Sequence, residues 1–350
     1  MQVSVVINCF NYARYVGAAI DSALAQSYQP CEVVVVDDGS TDTSWAVIQA
    51  YGARVKALRQ DNAGQGAAYN TGFAACTGQW VLFLDADDVL DPQAVQKCLA
   101  AVRDDTAKVQ FLLRTIGPEG QPLGGVVPYL THQGDVSAIA RRYGSYAGPP
   151  ASGNLYRRTA IERYLPMPMA AWRRAADTVP FVLSSLHGQV LTLREVLGSY
   201  RLHTPANAGQ GILGNMNRSM REALCQPDRS RVALRAWAAQ RGATQFHEPL
   251  LVQPADWRLR VLAWRLHGGD YPFAGDTRGS LWRGARGSLR HWPGYTLPER
   301  LLQLAWLAFV LCAPARWLPL AMSGQSSGPL RARLKRWRGA GLAASARVPQ

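Results

Sequence analysis

The 350-residue chain has few cysteines and no long apolar run, and each shortage excludes a class of protein. Its six cysteines are scattered, with no Cys-x-x-Cys pair and no nearby histidine cluster, which argues against a zinc site or a disulfide framework and favours a reduced, cytosolic setting. The chain opens almost directly into a β-type run, so we expect no signal peptide. It also lacks a Gly-Lys-Ser/Thr motif, so P-loop chemistry has no support, and we expect no nucleophile elbow.

The formal charge of +14 is unevenly distributed along the chain. Residues 1–130 carry 8 basic and 13 acidic side chains, a net charge of −5, whereas residues 201–350 carry 22 and 7, a net charge of +15. A basic excess can attract nucleic acid or an anionic membrane face. The excess can also have no particular partner, and we expect no nucleic acid partner.

A short apolar run followed by three carboxylates is the central feature of the sequence. Val81–Leu84 reads as a fully buried strand, and Asp85, Asp87 and Asp88 follow where that strand would surface. Side chains two apart on a strand point the same way, so Asp85 and Asp87 can converge. Like charges held together favour a cation, and oxygen ligands suit Mg²⁺ or Mn²⁺. The pattern predicts a metal site; the alternative is a polar turn that caps the next helix.

Four apolar runs alternate with helical patterns in the first hundred residues: 3–7, 32–36, 55–58 and 81–84. This alternation predicts βαβ units, hence an α/β fold with a doubly wound, mostly parallel sheet and helices on both faces. Ligands of such sheets sit at the carboxyl ends of the strands. Polar clusters after strands one, two and four should therefore meet in one crevice.

The later part of the chain changes pattern. A hairpin over 109–127, a strand at 153–157, a helix from Asp177 and an extended run over 189–201 precede an Arg-rich and Trp-rich helical region. We predict a catalytic domain at 1–207 (nucleotide-binding half 1–108, acceptor half 109–207). A helical basic extension at 208–322 and a loosely ordered basic tail at 323–350 should follow.

Five pieces of sequence, in order, resemble family 2 glycosyltransferases of the GT-A fold. They are Val3–Asn11, Val34–Asp42, Asn62–Gly66 with Asn70–Gly72, Phe83–Asp88 and Tyr200–His203. The resemblance covers roughly residues 1–207 and implies inverting transfer of a sugar from a nucleoside-diphosphate sugar to a hydroxyl of a glycan or lipid-linked acceptor. Such enzymes commonly serve polysaccharide or cell-envelope glycan synthesis.

The resemblance also implies roles for particular residues. The metal ligands would be Asp85, Asp87 and His203, although a lone histidine such as His203 can equally be an ordinary polar contact. Phe10 would stack on the nucleotide base and Asp38 would accept a hydrogen bond from that base, although Phe10 could instead be a core aromatic. The full set expected on the nucleotide side is Asn8, Phe10, Asn11, Asp37, Asp38, Gly66, Asn70 and Asp85.

The general base expected from the resemblance is Asp177. A base within reach of the acceptor hydroxyl is typically worth about 10²–10⁴-fold in rate. Ala176 stands where the family often has a second acid, and Tyr69 stands where many relatives have Arg. The alternative role for Asp177 is that of a helix N-cap.

The C-terminal part contains an apolar segment beside arginines. Residues 301–313 are apolar except Gln303, which is too short to span a bilayer because a spanning helix needs about 20 residues. With the basic run that follows, residues 301–338 predict either peripheral contact with the cytoplasmic face of the inner membrane or a buried helix of a cytoplasmic protein. Two other functions stay open: a sugar nucleotidyltransferase, and a catalytically silent, membrane-associated protein that binds nucleotide sugars.

Overall fold

The computed structural model describes residues 1–203, 220–266 and 271–318. The strands are Val3–Cys9 (β1), Cys31–Asp37 (β2), Lys56–Arg59 (β3), Trp80–Asp85 (β4), Val89–Leu90 (β5), Thr106–Ile116 (β6), Pro122–Val127 (β7), Asn154–Arg157 (β8) and Gln189–Arg201 (β9). The helices are Val16–Leu24 (α1), Ser44–Gln49 (α2), Gln65–Ala75 (α3), Ala94–Ala101 (α4), Ser137–Tyr143 (α5), Arg158–Ile161 (α6), Thr178–Ser184 (α7), Met220–Gln240 (α8), Pro254–Leu266 (α9), Arg278–His291 (α10) and Leu297–Cys312 (α11).

The described strands form one sheet in the order β3-β2-β1-β4-β8-β6-β9-β5, with β7 paired to β6. Strands β3, β2, β1 and β4 run parallel, as does the long β6–β9 pair. Strand β8 joins β4 and β6 by antiparallel pairing. The parallel half therefore brings the carboxyl ends of β1, β2 and β4 to the same edge.

Helices cover both faces of this sheet. On one face, Val5 and Ile7 of β1 pack with Ile20 of α1. On the other, Val6 packs with Val34 and with the helix side chain Tyr69 of α3. Alternate residues of one strand thus enter two separate cores, as the period of two requires. The predicted α/β class, with a mostly parallel sheet between helices, is confirmed.

Most element boundaries fall within a few residues of the sequence prediction, and β9 coincides with its predicted run. The third strand, expected over 55–58, forms over Lys56–Arg59, and the helix expected from Asp177 begins at Thr178. Ends of elements depend on local hydrogen bonds that hydropathy does not encode.

The helical C-terminal region is also present. Helices α9, α10 and α11 pack around a third core that includes Val261, Leu281 and Leu307. Helix α8 instead adds Leu234 and Ala238 to the core that contains α7. The domain limits at 207/208 and 322/323 stay predictions, and the basic tail at 323–350 lies outside the described residues. Within the described ranges, no helix combines the length and apolarity needed to cross a membrane.

The close approach of α3 to the sheet generates a stability prediction. A Cβ at Gly72 would overlap Val6 Cγ1 and would lie 3.3 Å from Val36 Cγ2, both on stiff side chains of the sheet. Gly72→Ala should lower the free energy of unfolding by about 1–3 kcal/mol through overpacking. Urea unfolding measures the change. Gly287→Ala is the matched control, because a Cβ there meets nothing within 4 Å; equal effects of the two substitutions would contradict this packing.

Candidate active site

The carboxyl ends of β1, β2 and β4 are level with one another. Asn8 of β1 pairs in register with Asp85 of β4, and Cys9 pairs with Asp37 of β2. The Asn8 amide Nδ2 lies 3.4 Å from Asp85 Oδ1. The predicted meeting of these strand ends in one crevice therefore agrees with the register of the sheet.

Asp87 reaches this crevice by a different route from the one that alternation suggests. Asp85 ends β4, and Asp87 lies in the turn that follows, where the Asp88 amide donates to Asp85 O at 3.0 Å. The period-two argument for Asp85 and Asp87 is therefore wrong in its geometry. The tight turn, and not the strand, holds the two carboxylates near each other.

Negative charge accumulates around Asp85. Burial, together with the charges of Asp87 and Asp177, raises the pKa of Asp85 to about 8. Asp177 precedes α7, so part of this negative charge comes from a separate element. An accumulation of carboxylates without an equal number of cations favours the binding of a positive group.

His203 lies beside Asp87. Its Nε2 is 2.6 Å from Asp87 Oδ2, and Asp87 is almost fully buried. The imidazole ring is flanked by Tyr15 and Tyr12, with ring centroids 5.2 Å and 5.7 Å away. The structure thus places His203 against Asp87, in the turn that follows Asp85 at the end of β4.

Asp88, which the sequence did not single out as a site residue, anchors this edge. The Ser152 hydroxyl donates to its Oδ2 at 2.6 Å, and the Arg201 backbone N–H donates to its Oδ1 at 2.9 Å. The same Ser152 Oγ accepts from the Asp85 N–H at 3.1 Å. Burial raises the pKa of Asp88 well above its ordinary value. Asp88 is therefore a structural acid that joins β4, β9 and the turn before β8.

The residues expected on the nucleotide side surround the end of β1. The Phe10 ring is 43% exposed, which disagrees with a core role and leaves its face open to a ligand. Asn11 adopts a left-handed backbone conformation (φ 58°), and its Oδ1 accepts from Thr41 N at 2.8 Å. The loop after β1 is thereby tied to the loop after β2.

Asp37 and Asp38 are both buried but differ in their partners. Asp37 Oδ2 pairs with Arg59 Nε at 3.1 Å. Both oxygens of Asp38 hold the next turn in place, because they accept from Gln60 Nε2 (2.7 Å), Ala63 N (2.9 Å) and Gly64 N (2.8 Å). Asp38 therefore stabilises this turn, in addition to the contact with the nucleotide base that the resemblance implies.

Gly66 and Asn70 of α3 contact the segment that leads to α7. Gly66 N donates to Trp172 O at 2.8 Å, and a Cβ at Gly66 would lie 2.6 Å from that oxygen. The Asn70 amide bonds Met167 N and O, each at 2.8 Å. These two residues position the chain that carries Asp177; nothing in the sequence signalled this contact.

Asp177 precedes the first residue of α7, and its side chain makes no cap hydrogen bond to that helix. The adjacent Ala176 N–H donates to Gln65 Oε1 at 3.0 Å, which fastens this position to α3. The helix-cap alternative is therefore not observed, and the carboxylate is placed where it acts on Asp85.

The set of oxygen and nitrogen donors fits a small divalent cation only in part. In the part of the chain that the structure describes, no three His, Cys, Asp or Glu side chains are arranged so that they could hold one metal ion. Mg²⁺ commonly takes one or two protein carboxylates and completes its shell with water and substrate phosphates. Asp85 with its raised pKa, Asp87 and the buried, unpartnered Asn8 Oδ1 are compatible with such a site.

A crevice at the carboxyl ends of parallel strands, lined by clustered carboxylates and an exposed aromatic ring, is the site type of nucleotide-binding α/β enzymes. Residues 4–165 match the family model described as Glycosyl transferase family 2. This stretch, just under half of the chain, carries the sequence pattern of that family.

Relatives extend this similarity over different lengths. An uncharacterized glycosyltransferase of Nostoc sp. is 38% identical over 216 residues, covering 59% of this chain and 66% of the relative. Chondroitin synthase of Escherichia coli is 39% identical over 123 residues, covering 34% of this chain and 18% of that protein. The chain thus spans less than two thirds of these relatives. Staphylococcus aureus TarS 1–349 with UDP-GlcNAc superposes at a TM-score of 0.49 and 14% identity, covering 94% of this chain and 92% of that one.

The hydrogen bonds of Asp38 generate a prediction. Asp38→Asn places an N–H₂ group where three donors now converge, so the free energy of unfolding should fall by about 1–3 kcal/mol. Thermal and urea unfolding measure it. The exposed Asp104 provides the control: Asp104→Asn should change stability by less than about 0.5 kcal/mol. Unchanged stability of Asp38→Asn would contradict the anchoring role.

Proposed function

We propose that the protein transfers a sugar from a nucleoside-diphosphate sugar to an acceptor hydroxyl, with inversion at the anomeric carbon. The observation that carries the proposal is the convergence of Asp85, Asp87 and Asp177, from two separate elements, at the carboxyl edge of the parallel strands. The match of residues 4–165 to glycosyltransferase family 2 supports the reaction class.

The donor would lie across the ends of β1 and β2. Exposed Phe10 would stack on the base, while Asn8, Asn11, Asp37 and Asp38 line the same loops. Gly66 and Asn70 border the crevice from α3. Stacking on an aromatic ring needs only an open face, which the 43% exposure of Phe10 provides.

Asp85, Asp87 and His203 would hold Mg²⁺ or Mn²⁺. A bound divalent cation would neutralise the charge that develops on the departing diphosphate. His203 Nε2 lies 2.6 Å from Asp87 Oδ2, and burial, with the charges of Asp87 and Asp177, raises the pKa of Asp85 to about 8.

Asp177 would act as the general base that takes the proton of the acceptor hydroxyl. The backbone N–H of the neighbouring Ala176 is bonded to Gln65 of α3, and the Asp177 carboxylate makes no cap hydrogen bond to α7. Inversion requires the attacking and leaving oxygens on opposite faces of the sugar, so a base on α7 and a diphosphate site on β4 suit this geometry.

The relatives suggest a setting in polysaccharide or cell-envelope glycan synthesis. Matches include chondroitin synthase of Escherichia coli and hyaluronan synthase of Pasteurella multocida. We therefore propose a glycan or lipid-linked acceptor.

Turnover assays test the reaction. Wild-type protein with Mn²⁺, a panel of UDP-, GDP- and TDP-sugars and glycan acceptors should release nucleoside diphosphate. Asp87→Asn and Asp177→Asn should each lower turnover by about 10²-fold or more, while Asp177→Asn should keep nucleotide binding, measured by calorimetry with the nucleoside diphosphate. Chelation by EDTA should stop turnover and added Mn²⁺ should restore it.

The controls separate this function from its rivals. Asp104→Asn, a matched change at an exposed turn, should leave turnover unchanged. Pyrophosphate release from a nucleoside triphosphate and a sugar 1-phosphate would instead identify a nucleotidyltransferase. Nucleotide binding with no turnover for any donor would identify a silent binding protein, and normal turnover in both site variants would refute the assigned residues.

A lipid-linked acceptor would suit a protein that docks on the cytoplasmic face of the membrane. Leu307, Val310 and Leu311 of α11 are buried, whereas its outer residues Leu297 and Leu301 are 69% and 57% exposed. Exposed arginines at 283, 286 and 290 line the preceding helix α10. An apolar stripe near basic side chains favours an anionic bilayer surface.

Sedimentation with anionic phosphatidylglycerol vesicles tests this contact. The double variant Leu301→Glu/Leu302→Glu should bind these vesicles at least about tenfold more weakly, because two exposed apolar side chains are lost and two negative charges are gained. Val232→Glu on α8 is the control, since Val232 is also 69% exposed but lies elsewhere. Equal binding of the wild type and the double variant would rule this surface out.

A further inference from the structure

Lys108, a residue outside the proposed machinery, is fully buried near the start of β6. Its Nζ donates to Asn154 Oδ1 at 2.8 Å. Buried lysines are rare unless they are paired, and within the described residues no salt bridge to Lys108 is found. Burial lowers the pKa of Lys108 well below its ordinary value. The fold therefore keeps a costly group in its core.

Three aromatic rings surround the amine. Its Nζ lies 3.7 Å from the ring centroid of Phe181, 4.8 Å from that of Tyr146 and 5.8 Å from that of Tyr156. The Tyr146 and Phe181 rings stack at 4.3 Å. We call these four side chains, with Asn154, the Lys108 cage.

One side of the cage grips α7. The Tyr146 hydroxyl donates to Phe181 O at 2.7 Å, and Phe181 N donates to Asp177 O at 3.0 Å. Phe181 therefore lies one helical turn after the proposed base and is held through both its ring and its backbone. A shift of Phe181 would move the first turn of α7, and with it Asp177.

The other side of the cage reaches the acidic edge of the sheet. Asn154 Nδ2 faces three successive carbonyls and donates to Pro150 O at 2.7 Å, with Ala151 O at 3.2 Å and Pro149 O at 3.4 Å. This turn carries Ser152, whose hydroxyl joins the Asp85 amide to the Asp88 carboxylate. Asn154 therefore holds the turn whose Ser152 hydroxyl accepts from the Asp85 amide.

We propose that Lys108 is a positioning residue that sets the distance between the proposed base on α7 and the acidic strand end at Asp85. Its terminal nitrogen donates to Asn154 and also lies against the ring of Phe181. One buried group therefore contacts both the strand whose preceding turn supports Asp85 and the helix that follows Asp177. The inference rests on the proposed function for its catalytic meaning, but the coupling itself belongs to the fold.

Amide hydrogen exchange of the purified, ligand-free protein tests the coupling without any substrate. Lys108→Met keeps the side-chain length and removes the donor, so the amides of Phe181, Gly153 and Asp85 should exchange about tenfold faster or more. Amides of β1 should be unaffected. Lys97→Met, at an exposed lysine paired with Glu195, should change none of these.

Two further variants separate the two sides. Asn154→Asp keeps an acceptor for Lys108 but loses the donor to the 149–151 carbonyls, so exchange should rise at Gly153 and Asp85 and not at Phe181. Phe181→Leu should show the reverse. These variants also keep the proposal testable if Lys108→Met does not fold. Exchange that is unchanged, or raised equally throughout the sheet, would overturn the proposal.

Kinetics add the readout that a merely structural lysine would not affect. With a donor that the wild type turns over, Lys108→Met should lower kcat about 10- to 100-fold while the KM for the donor stays within about threefold, because displaced groups slow the chemical step more than binding. An unchanged kcat would overturn the positioning role. If the wild type transfers no sugar at all, the proposed function fails, whereas the exchange result still decides the coupling.

Discussion

The structure depends on the repulsion among carboxylates at the carboxyl ends of β4 and its neighbours. Asp85, Asp87 and Asp88 follow one another within four positions, and Asp177 adds its charge from α7. Each member has a different form of compensation: Asp88 is bonded by a hydroxyl and a backbone amide, Asp87 by an imidazole. Asp85 Oδ1 lies 3.4 Å from Asn8 Nδ2, and burial, together with the charges of Asp87 and Asp177, raises its pKa to about 8. A cation bound beside Asp85 would offset this negative charge.

The combination of parallel and antiparallel strands explains how the sheet holds several carboxylates close together. Its parallel half delivers the strand ends, as in any βαβ arrangement. Its antiparallel addition, β8 between β4 and β6, places Ser152 directly behind Asp85 and Asp88. Strand β9 then brings Arg201, whose Nε donates to Asp87 O at 2.8 Å, and positions His203 beyond it. Strands β8 and β9, which would not bind the nucleotide, therefore lead to the residues that support these carboxylates.

The sequence predicted the parts of this arrangement that are local. Val81–Leu84 was recognisable as a buried strand because every residue in it is apolar. The carboxylates that follow it could be read directly from the sequence. The turn at Asp87, the anchoring of Asp88 by Ser152 and the docking of Gly66 on Trp172 were not predictable. Ser152 and Asp88 are 64 positions apart, and such contacts depend on how elements pack and not on periodicity. The buried position of Lys108 was not predictable either, because a single lysine in a strand pattern normally indicates an exposed face.

The position of Asp177 shows why those long-range contacts matter. A base must be held within a fraction of an ångström of its productive position. Helix α7 has only seven residues, too few to be rigid alone. Ahead of it, Gln65 and Gly66 of α3 bind the backbone of residues 172–176. One turn after Asp177, Phe181 is held by Tyr146 and lies against Lys108. Because the backbone before and after Asp177 is held by α3 and by the Lys108 cage, the separation of the proposed base from the strand end depends on contacts across the fold and not on the short α7 alone.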